Sequence, residues 1–347
     1  MKTKALVITT VHWPDDTRIR ERLIRSLAVD FDIQYAARSP GPSDTTDLSF
    51  RELRGGRLRR NLGAFLPVVR SRWDVLVVHD PELLPLAVAA RALSRRPVVF
   101  DVHEDFPAIA HTRSWVPRWL RTPLAGLLRV VMRLAESVLV VTLAESGYRR
   151  LFARDHPVFP NYPDTFGYPP VQEQREEEAV YLGDATLERG VDVAIDACRL
   201  AGVPLRLIGR MTSEMRALAA REGHVTADGV LPNPEAVRVV SRASVGLVPL
   251  RDIENYRYSQ PTKLLEYLAL GVPVVATDLP GTRELVDDLE AVRLVPAGDA
   301  SSMAEAISAS LSLDALEVAA ANAAEVRARF SWPRQEVLSF YRSLVSP

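Results

Sequence analysis

The sequence predicts an α/β protein with two parallel sheets, and three observations support this fold class. Short apolar runs that suit strands buried on both faces alternate with amphipathic helical patterns. The length of 347 residues suits two domains. A proline-rich segment, residues 157–174, leads into an acidic stretch and has the composition of a linker. We therefore expect an α/β domain on each side of that segment.

The first half contains four predicted strands, each followed by a helical pattern. Asp15, Asp16 or Thr17 is available to cap the first helix. The expected strands are residues 5–9, 75–78, 97–102 and 137–141. The expected helices are residues 17–28, 82–93, 121–136 and 145–152.

The second half repeats this alternation and ends in three consecutive helical patterns. The expected strands are residues 179–182, 204–208, 245–248, 272–276 and 291–295. The expected helices are residues 191–201, 212–222, 234–241, 261–270, 301–311, 316–330 and 332–344. Ligands of such sheets bind beyond the carboxyl ends of the strands, so the polar loops there are the candidate sites.

Composition excludes several classes of protein. A formal net charge of -1 argues against general nucleic-acid binding. Cys198 is the single cysteine, so no intrachain disulfide is expected, and it falls in a helical core pattern. No secretory signal or transmembrane run is visible, which favours a cytoplasmic location. The six histidines show no metal-ligand spacing, so no metal site is expected.

The most informative segment is residues 259–278, which reads as a short helix, a glycine and a buried strand. Pro261 suits the first helical turn. Thr262, Lys263 and Glu266 share one face of that helix, near free N–H groups that favour an anion. Lysine is rare in this arginine-rich chain, occurring also at Lys2 and Lys4 alone. A hydroxyl, a cation and a carboxylate so placed suit a nucleoside diphosphate, although an ordinary capped connection with a solvated lysine explains the pattern too.

Other loops of the second half offer further contacts. Gly183 permits close approach of the backbone to a ligand, and Arg189 suits bidentate contact with phosphate. Gly209 and Arg210 end another strand beside the expected nucleotide. The loop before the 259–278 segment offers polar side chains to a sugar, namely Glu254, Asn255 and Tyr256.

The first half offers a polar cluster directly after a strand. His103 can hydrogen-bond a sugar hydroxyl or donate to an oxyanion, with Glu104 or Asp105 to orient it. Asp15 and Asp16 can contact an acceptor, but helix capping explains them equally well. Asp80, before a proline, is read as structural.

With these residues assembled, the chain resembles the retaining, family-4-type GT-B glycosyltransferases (glycosyl transferases group 1). The resemblance covers nearly the whole chain. The similar segments are residues 15–18, 101–105, 159–161, 261–267, 271–276 and 331–332 with the last helix. It implies two Rossmann-like doubly wound domains facing a central cleft. The acceptor domain would be residues 1–165, with the helix 332–347 packing back on it, and the donor domain residues 166–331.

The resemblance also implies the reaction and the roles of the residues. The donor would be a nucleotide-diphosphate sugar and the acceptor a hydroxyl of a glycan, a lipid-linked glycan or a secondary metabolite, with no metal or other cofactor. Glu266 would hold the ribose. Thr262, Arg189 and Lys263 would hold the diphosphate, and His103 would contact the donor sugar near the reacting centre.

Two positions depart from the family pattern. Tyr258 stands where many relatives have an acidic residue, and Asp184 where many have arginine after the strand-end glycine. Two alternatives therefore stay open beside a transferase. One is a catalytically silent partner subunit, and the other is a sugar-nucleotide epimerase on the same scaffold.

Residues 115–133 form a basic and apolar pattern with two tryptophans. Such a helix can lie on an anionic membrane surface. The pattern favours the other interpretation, a core helix with arginines on its solvent face.

Overall fold

A computed structural model describes residues 2–38, 48–112, 116–286 and 288–345, apart from the side chains at 109, 111, 112 and 255. The chain divides into two compact units. The N-terminal unit is Met1–Asn161 with Trp332–Pro347, and the C-terminal unit is Tyr162–Ser331. The boundary expected from sequence was residue 165.

The N-terminal unit contains a six-stranded parallel sheet of order β3-β2-β1-β4-β5-β6. Its strands are β1 Thr3–Ile8, β2 Phe31–Arg38, β3 Ser49–Leu53, β4 Val75–Val78, β5 Val98–Val102 and β6 Val140–Leu143. Its helices are a π-helix Thr17–Ile24, α1 Arg25–Leu27, α2 Arg57–Arg70, α3 Leu84–Ser94, α4 Phe106–Thr112, α5 Arg118–Glu136 and α14 Arg334–Val345, with 3-10 turns at Pro81–Leu83 and Ser146–Leu151.

The C-terminal unit contains a second six-stranded parallel sheet, of order β12-β11-β10-β7-β8-β9. Its strands are β7 Glu176–Leu182, β8 Leu205–Ile208, β9 Val225–Gly229, β10 Ala243–Val248, β11 Val274–Thr277 and β12 Val292–Val295. Its helices are α6 Val191–Ala201, α7 Ser213–Ala219, α8 Asn233–Val240, α9 Glu254–Arg257, α10 Thr262–Ala269, α11 Pro280–Val286, α12 Ala300–Ser310 and α13 Leu313–Arg329.

The predicted α/β class with two parallel sheets is confirmed. Each sheet is covered on both faces, with a separate apolar cluster on each side. The completely buried strands have continuous apolar sequences because both of their faces pack against helices. Cys198 lies in one of these cores, where burial raises the pKa of its thiol to about 12.

The elements that the sequence did not predict include the strands β2, β3 and β9 and the helices α2, α4 and α9. The edge strands β3 and β9 are short and largely exposed, so they lack the apolar run that marks a central strand. The last strand of the first sheet begins at Val140 and not at the expected residue 137, because the backbone there still closes the turn that ends α5. No helix within the described ranges combines the length and apolarity needed to cross a bilayer.

Candidate active site

Two glycines bring the ends of neighbouring strands into backbone contact in the C-terminal unit. Gly183 follows β7, and its N–H donates to the Ile208 carbonyl at 2.8 Å. Gly209 follows β8 with φ of 137°, and a Cβ there would lie 2.1 Å from the Gly183 oxygen. Only glycine fits so close an approach in that conformation. The two loops therefore lie side by side at the carboxyl end of the sheet, with both glycines partly buried.

Lys263 is buried beside these loops. Its Nζ lies 3.7 Å from the centroid of the Tyr181 ring, and a Cβ on Gly183 would be 3.1 Å from Nζ. Nζ has no hydrogen-bond partner among the described residues. Burial, and then the charge of Arg189, hold the pKa of Lys263 well below its ordinary value, against the opposing charges of Glu266 and Asp184. Because burial disfavours the charged form of this amine, an anion bound beside Nζ would favour its protonation and gain a charge-assisted contact.

Arg189 supplies a second cation in the loop between β7 and α6. Its N–H donates to Thr186 Oγ1 at 3.2 Å, and its guanidinium carbon lies 5.9 Å from the Tyr256 ring centroid. The following residue, Gly190, has φ of 70°, and a Cβ there would lie 1.9 Å from the Pro249 carbonyl oxygen. This contact fixes the loop that carries Arg189.

Asp184 introduces a negative charge next to these cations. Its carboxylate lies 3.6 Å from Arg210 Nη1, and both side chains are about half exposed. Arg210 therefore lies at the predicted edge, and Asp184 partly neutralises it. The carboxylate that departs from the family pattern thus lowers the positive potential of the site without removing Lys263 or Arg189.

Helix α10 is tied to the end of β7. The Leu182 N–H donates to the hydroxyl of buried Tyr267 at 2.7 Å. The Tyr267 ring is so close to β10 that a Cβ on Gly246 would lie 2.3 Å from it. This tether places Thr262, at the start of α10, and Glu266, one turn later, on the helix that also carries Lys263. Sequence reasoning missed it, since a tyrosine on the apolar stripe reads as core.

Helix α9 carries the residues expected to recognise the sugar. Glu254 is exposed at its first turn, and Tyr256 is half-buried against the core. Asn255 lies outside the described side chains. The adjacent chain is constrained, because a Cβ on Gly281 would lie 2.5 Å from the Tyr258 backbone.

Three histidines meet at the carboxyl edge of the N-terminal sheet. His12, His79 and His103 follow β1, β4 and β5, which are adjacent in the sheet. The Nε2 atoms of His12 and His103 lie 2.9 Å apart. The ring centroids of His79 and His103 lie 5.4 Å apart.

The two paired imidazoles have opposite electrostatic surroundings. Burial lowers the pKa of His12, but a hydrogen bond and charge from Asp16 and the charge of Asp80 raise it to about 9. Burial, and then the neighbouring His12 and His79, hold the pKa of His103 well below its ordinary value. At neutral pH His12 is therefore a cation that donates to neutral His103 through the shared Nε2 contact.

Asp101 lies beside this cluster and is held by hydrogen bonds from neighbouring side chains. It accepts both arms of the Arg18 guanidinium, at 3.0 and 2.9 Å, and the Thr142 hydroxyl at 2.8 Å. Burial opposes its ionisation, but Arg18 holds the pKa of the Asp101 carboxyl well below its ordinary range. Its Oδ2 also lies 3.4 Å from His79 Nδ1.

The carboxylates predicted as site residues in the first half have different surroundings in the structure. Asp16 caps the π-helix by accepting the N–H groups of Arg18 and Ile19, and it lies 3.3 Å from His12 Nδ1. Asp15 is exposed, and Glu104 is half-buried within electrostatic range of His12.

Asp80 and Asp105 perform structural tasks. Asp80 holds the loop after β1 by accepting the Thr9 hydroxyl at 2.9 Å and the Thr10 N–H at 2.6 Å. Asp105 accepts the Ala108 N–H at the start of α4.

The histidine cluster was missed because its members are far apart in the sequence. The available signal was that each follows a strand, but strand order was not determined. Ligand atoms of His79, Asp101 and His103 all lie within 4.8 Å of one another, a grouping that sequence spacing did not anticipate. Since Arg18 already neutralises Asp101, a metal ion there would face a buried guanidinium.

Comparisons with known proteins place this geometry in context. Residues 176–312 match the family model described as Glycosyl transferases group 1. A phosphatidyl-myo-inositol mannosyltransferase of Mycobacterium leprae is 28% identical over 304 residues, covering 77% of this chain and 75% of that protein. A putative colanic acid biosynthesis glycosyltransferase, WcaL of Escherichia coli K12, is 32% identical over 153 residues. That match covers 41% of this chain and spans 38% of WcaL.

Solved structures extend the likeness to the whole chain. A sucrose-phosphate synthase from Thermosynechococcus elongatus superposes with a TM-score of 0.76 at 18% identity, covering 99% of each chain. Anabaena HepE, solved with UDP-glucose, gives a TM-score of 0.71 at 16% identity, covering 98% of this chain and 99% of that one. These neighbours share one architecture, so the predicted GT-B fold is confirmed.

Proposed function

We propose that this chain, a group 1 glycosyltransferase with the GT-B fold, transfers a sugar from a nucleotide-diphosphate donor to a hydroxyl acceptor with retention of the anomeric configuration. The bond from the anomeric carbon to the diphosphate oxygen breaks, and the acceptor oxygen bonds to that carbon on the same face. The acceptor proton passes to the departing diphosphate. The reaction needs no metal, because cationic side chains stabilise the leaving group.

The observation that carries this proposal is the buried amine of Lys263 at the start of α10, which has no hydrogen-bond partner in the part of the chain that the structure describes. Arg189 adds a cation on the neighbouring loop, and Gly183 keeps the intervening surface open. A diphosphate placed here would give Lys263 the anionic partner that it lacks among the described residues. The structural neighbour HepE was solved in complex with UDP-glucose, which supports a nucleotide-sugar donor for this chain.

The remaining predicted donor contacts surround this point. Glu266 would bind the ribose hydroxyls, and Thr262 with the helix-start amides would bind the diphosphate. Gly209 and Arg210 would line the nucleotide. Glu254, Asn255 and Tyr256 would recognise the sugar.

The N-terminal unit would supply the acceptor contacts. His103 would also hydrogen-bond the donor sugar. Because its Nδ1 is buried, the sugar hydroxyl would have to replace His12 at Nε2. Asp15 and Glu104 are the carboxylates for the acceptor, because Asp16 is already engaged by the helix start and by His12. The phosphatidyl-myo-inositol mannosyltransferase and the colanic acid biosynthesis glycosyltransferase support a lipid-linked or glycan hydroxyl as the acceptor.

A thermal-shift screen tests the donor. Purified protein is heated with UDP, GDP, ADP, CDP or dTDP, each with and without EDTA. A ligand at 100 times its Kd should stabilise the fold by about 2.7 kcal/mol. One clear hit that EDTA leaves unchanged supports a metal-independent transferase, whereas no hit with any nucleotide would favour the silent partner subunit.

Two substitutions then test the site. Arg189→Ala and Glu266→Ala should each sharply reduce kcat/KM for the donor that the screen identifies. Arg216→Ala, on exposed α7, is the matched control and should leave it unchanged. An unchanged kcat/KM in both site variants would refute this assignment of residues.

A further inference from the structure

The helices α2, α3 and α5 cover the same face of the N-terminal sheet. Each connects parallel strands in the same direction along the sheet order, and right-handed connections place such helices on one side. Their buried residues accordingly fall in one core cluster, which includes Ala64, Ala87 and Met132.

The outer surface of these helices is unusually apolar. Of the eighteen large hydrophobic side chains that are exposed in the described part of the chain, eleven lie on these three helices, so the exposure is concentrated on one face. On α2 and α5 they follow helical spacing and form stripes. The members are Leu58, Leu62, Phe65, Leu66, Val69, Leu93, Trp119, Leu120, Leu127, Val130 and Leu134.

The charges of the same helices have one sign. The three helices carry nine arginines, four on α2, one on α3 and four on α5. Their sole acidic residue is Glu136, which is buried and accepts the N–H groups of Ala153 and Arg154. Arg57 is paired with Glu82 from the neighbouring 3-10 turn. The face therefore joins apolar stripes to a net positive charge.

The interpretation of α5 as a core helix with arginines toward solvent holds for Met132, which is buried against the sheet. The outer surface of the helix is also apolar, because Trp119 is 77% exposed and Leu134 67% exposed. Trp115, the second tryptophan of that pattern, lies outside the described residues.

We infer that the α2–α3–α5 face docks the protein on an anionic membrane surface. Apolar side chains that enter the headgroup boundary and arginines that pair with anionic lipids are the two signals that stable peripheral binding requires. A second copy of this chain is a poorer occupant, because a symmetric contact would bring like charges together. A lipid surface matches both the apolar stripes and the charge.

Vesicle co-sedimentation of the full chain tests this inference. The probes are phosphatidylcholine vesicles with or without phosphatidylglycerol, at low and high salt. The wild type should bind vesicles that contain phosphatidylglycerol and should not bind vesicles of phosphatidylcholine only. High salt should weaken the binding.

Two sets of variants separate the apolar and the basic contributions. The triple variant Phe65→Ser, Trp119→Ser and Leu127→Ser should lose binding. The triple variant Arg59→Gln, Arg118→Gln and Arg129→Gln should weaken binding roughly 100-fold, at about fivefold for each arginine. The matched controls change exposed residues of the C-terminal unit. They are Phe166→Ser with Leu200→Ser and Leu313→Ser, and Arg216→Gln with Arg221→Gln and Arg238→Gln.

Several outcomes would overturn the inference. These are no binding by the wild type, equal binding to both vesicle types, or equal losses in the control triples. Circular dichroism confirms that every variant is folded. Sedimentation without lipid measures the oligomeric state. If the wild type forms a dimer that the apolar variant breaks, and no vesicle binding occurs, the face would be assigned to a second copy.

Discussion

The Nε2 atoms of His12 and His103 lie 2.9 Å apart, and the two rings meet edge to face. Only one of the two Nε2 atoms carries the proton of this hydrogen bond. Asp16 and Asp80 face His12, whereas His79, Asp101 and Arg18 lie around His103. Asp16 and Asp80 therefore favour the proton on His12, whereas Arg18 offsets the charge of Asp101 and leaves His103 as the acceptor.

The stability of the protein should depend on the charge of His12. Its folded pKa, about 9, exceeds the unfolded value of 6.5, so its stabilisation is complete below pH 6.5 and is lost as pH rises through 9. The loss should be about 3 kcal/mol. Urea unfolding between pH 6 and 10 measures it. The variant His12→Gln should show a flatter profile, and identical profiles in both proteins would contradict this account.

Removal of the His103 imidazole should reduce turnover more than donor binding. We expect His103→Ala to lower kcat by about 100- to 1000-fold with a small change in the Kd for the nucleotide, because the side chain would act at the sugar. Steady-state kinetics and calorimetry provide the two values. The control is His224→Ala, whose ring contacts the Ile195 carbonyl in the other unit. A parallel loss in nucleotide affinity would argue for a structural role.

Replacement of Lys263 should raise the stability of the protein and lower its affinity for the nucleoside diphosphate. The variant Lys263→Met replaces a buried amine that has no hydrogen-bond partner among the described side chains. The free energy of unfolding should rise by about 1 kcal/mol, which is the gain from removing that polar group less the loss of its contact with Tyr181. Affinity for the nucleoside diphosphate should fall at least tenfold, roughly the 1.4 kcal/mol of one charge-assisted contact. A variant that is less stable and binds equally well would refute the assignment.

Asp184 should weaken the binding of the diphosphate that the site otherwise favours. Asp184→Asn removes a negative charge near Arg210, Arg189 and Lys263, and the Kd should decrease about two- to fivefold at low salt. Asp196→Asn, on the exposed side of α6, is the matched control. A weaker affinity in Asp184→Asn would mean that the carboxylate itself contacts the ligand.

The crossing of the two glycine loops should tolerate no side chain. Gly209→Ala would place a methyl group 2.1 Å from the Gly183 oxygen, and a loss of about 2–4 kcal/mol in stability is expected. Gly223→Ala is the control, since nothing lies within 4 Å of its added Cβ. Equal unfolding midpoints for the two variants would show that the loops separate easily.

The sequence was sufficient for the fold class and for the position of the segment that carries the proposed donor contacts. Helix α10, Gly271 and strand β11 are consecutive, so local capping and burial patterns reveal them together. The donor residues predicted on that segment accordingly lie on one helix beside Gly183.

The histidine cluster of the N-terminal sheet was harder to predict because it depends on strand order. His12, His79 and His103 come from three strands that become neighbours only after β2 and β3 are placed at the other end of the sheet. The edge strands carry weak patterns, so the order could not be read from periodicity. The apolar stripes of α2 and α5 were likewise ambiguous, because the same spacing serves a core and an exposed docking face.

The contact between Gly246 and the Tyr267 ring has a consequence for directed evolution of this protein. A larger residue at position 246 meets the ring at 2.3 Å, and a smaller residue at position 267 abandons the hydroxyl that binds the Leu182 N–H. Neither position can therefore change alone without loosening α10. Libraries that randomise both positions together should recover the packing when a gain of volume at 246 accompanies a loss at 267, but they should keep α10 fixed only where another group replaces the hydroxyl that binds the Leu182 N–H.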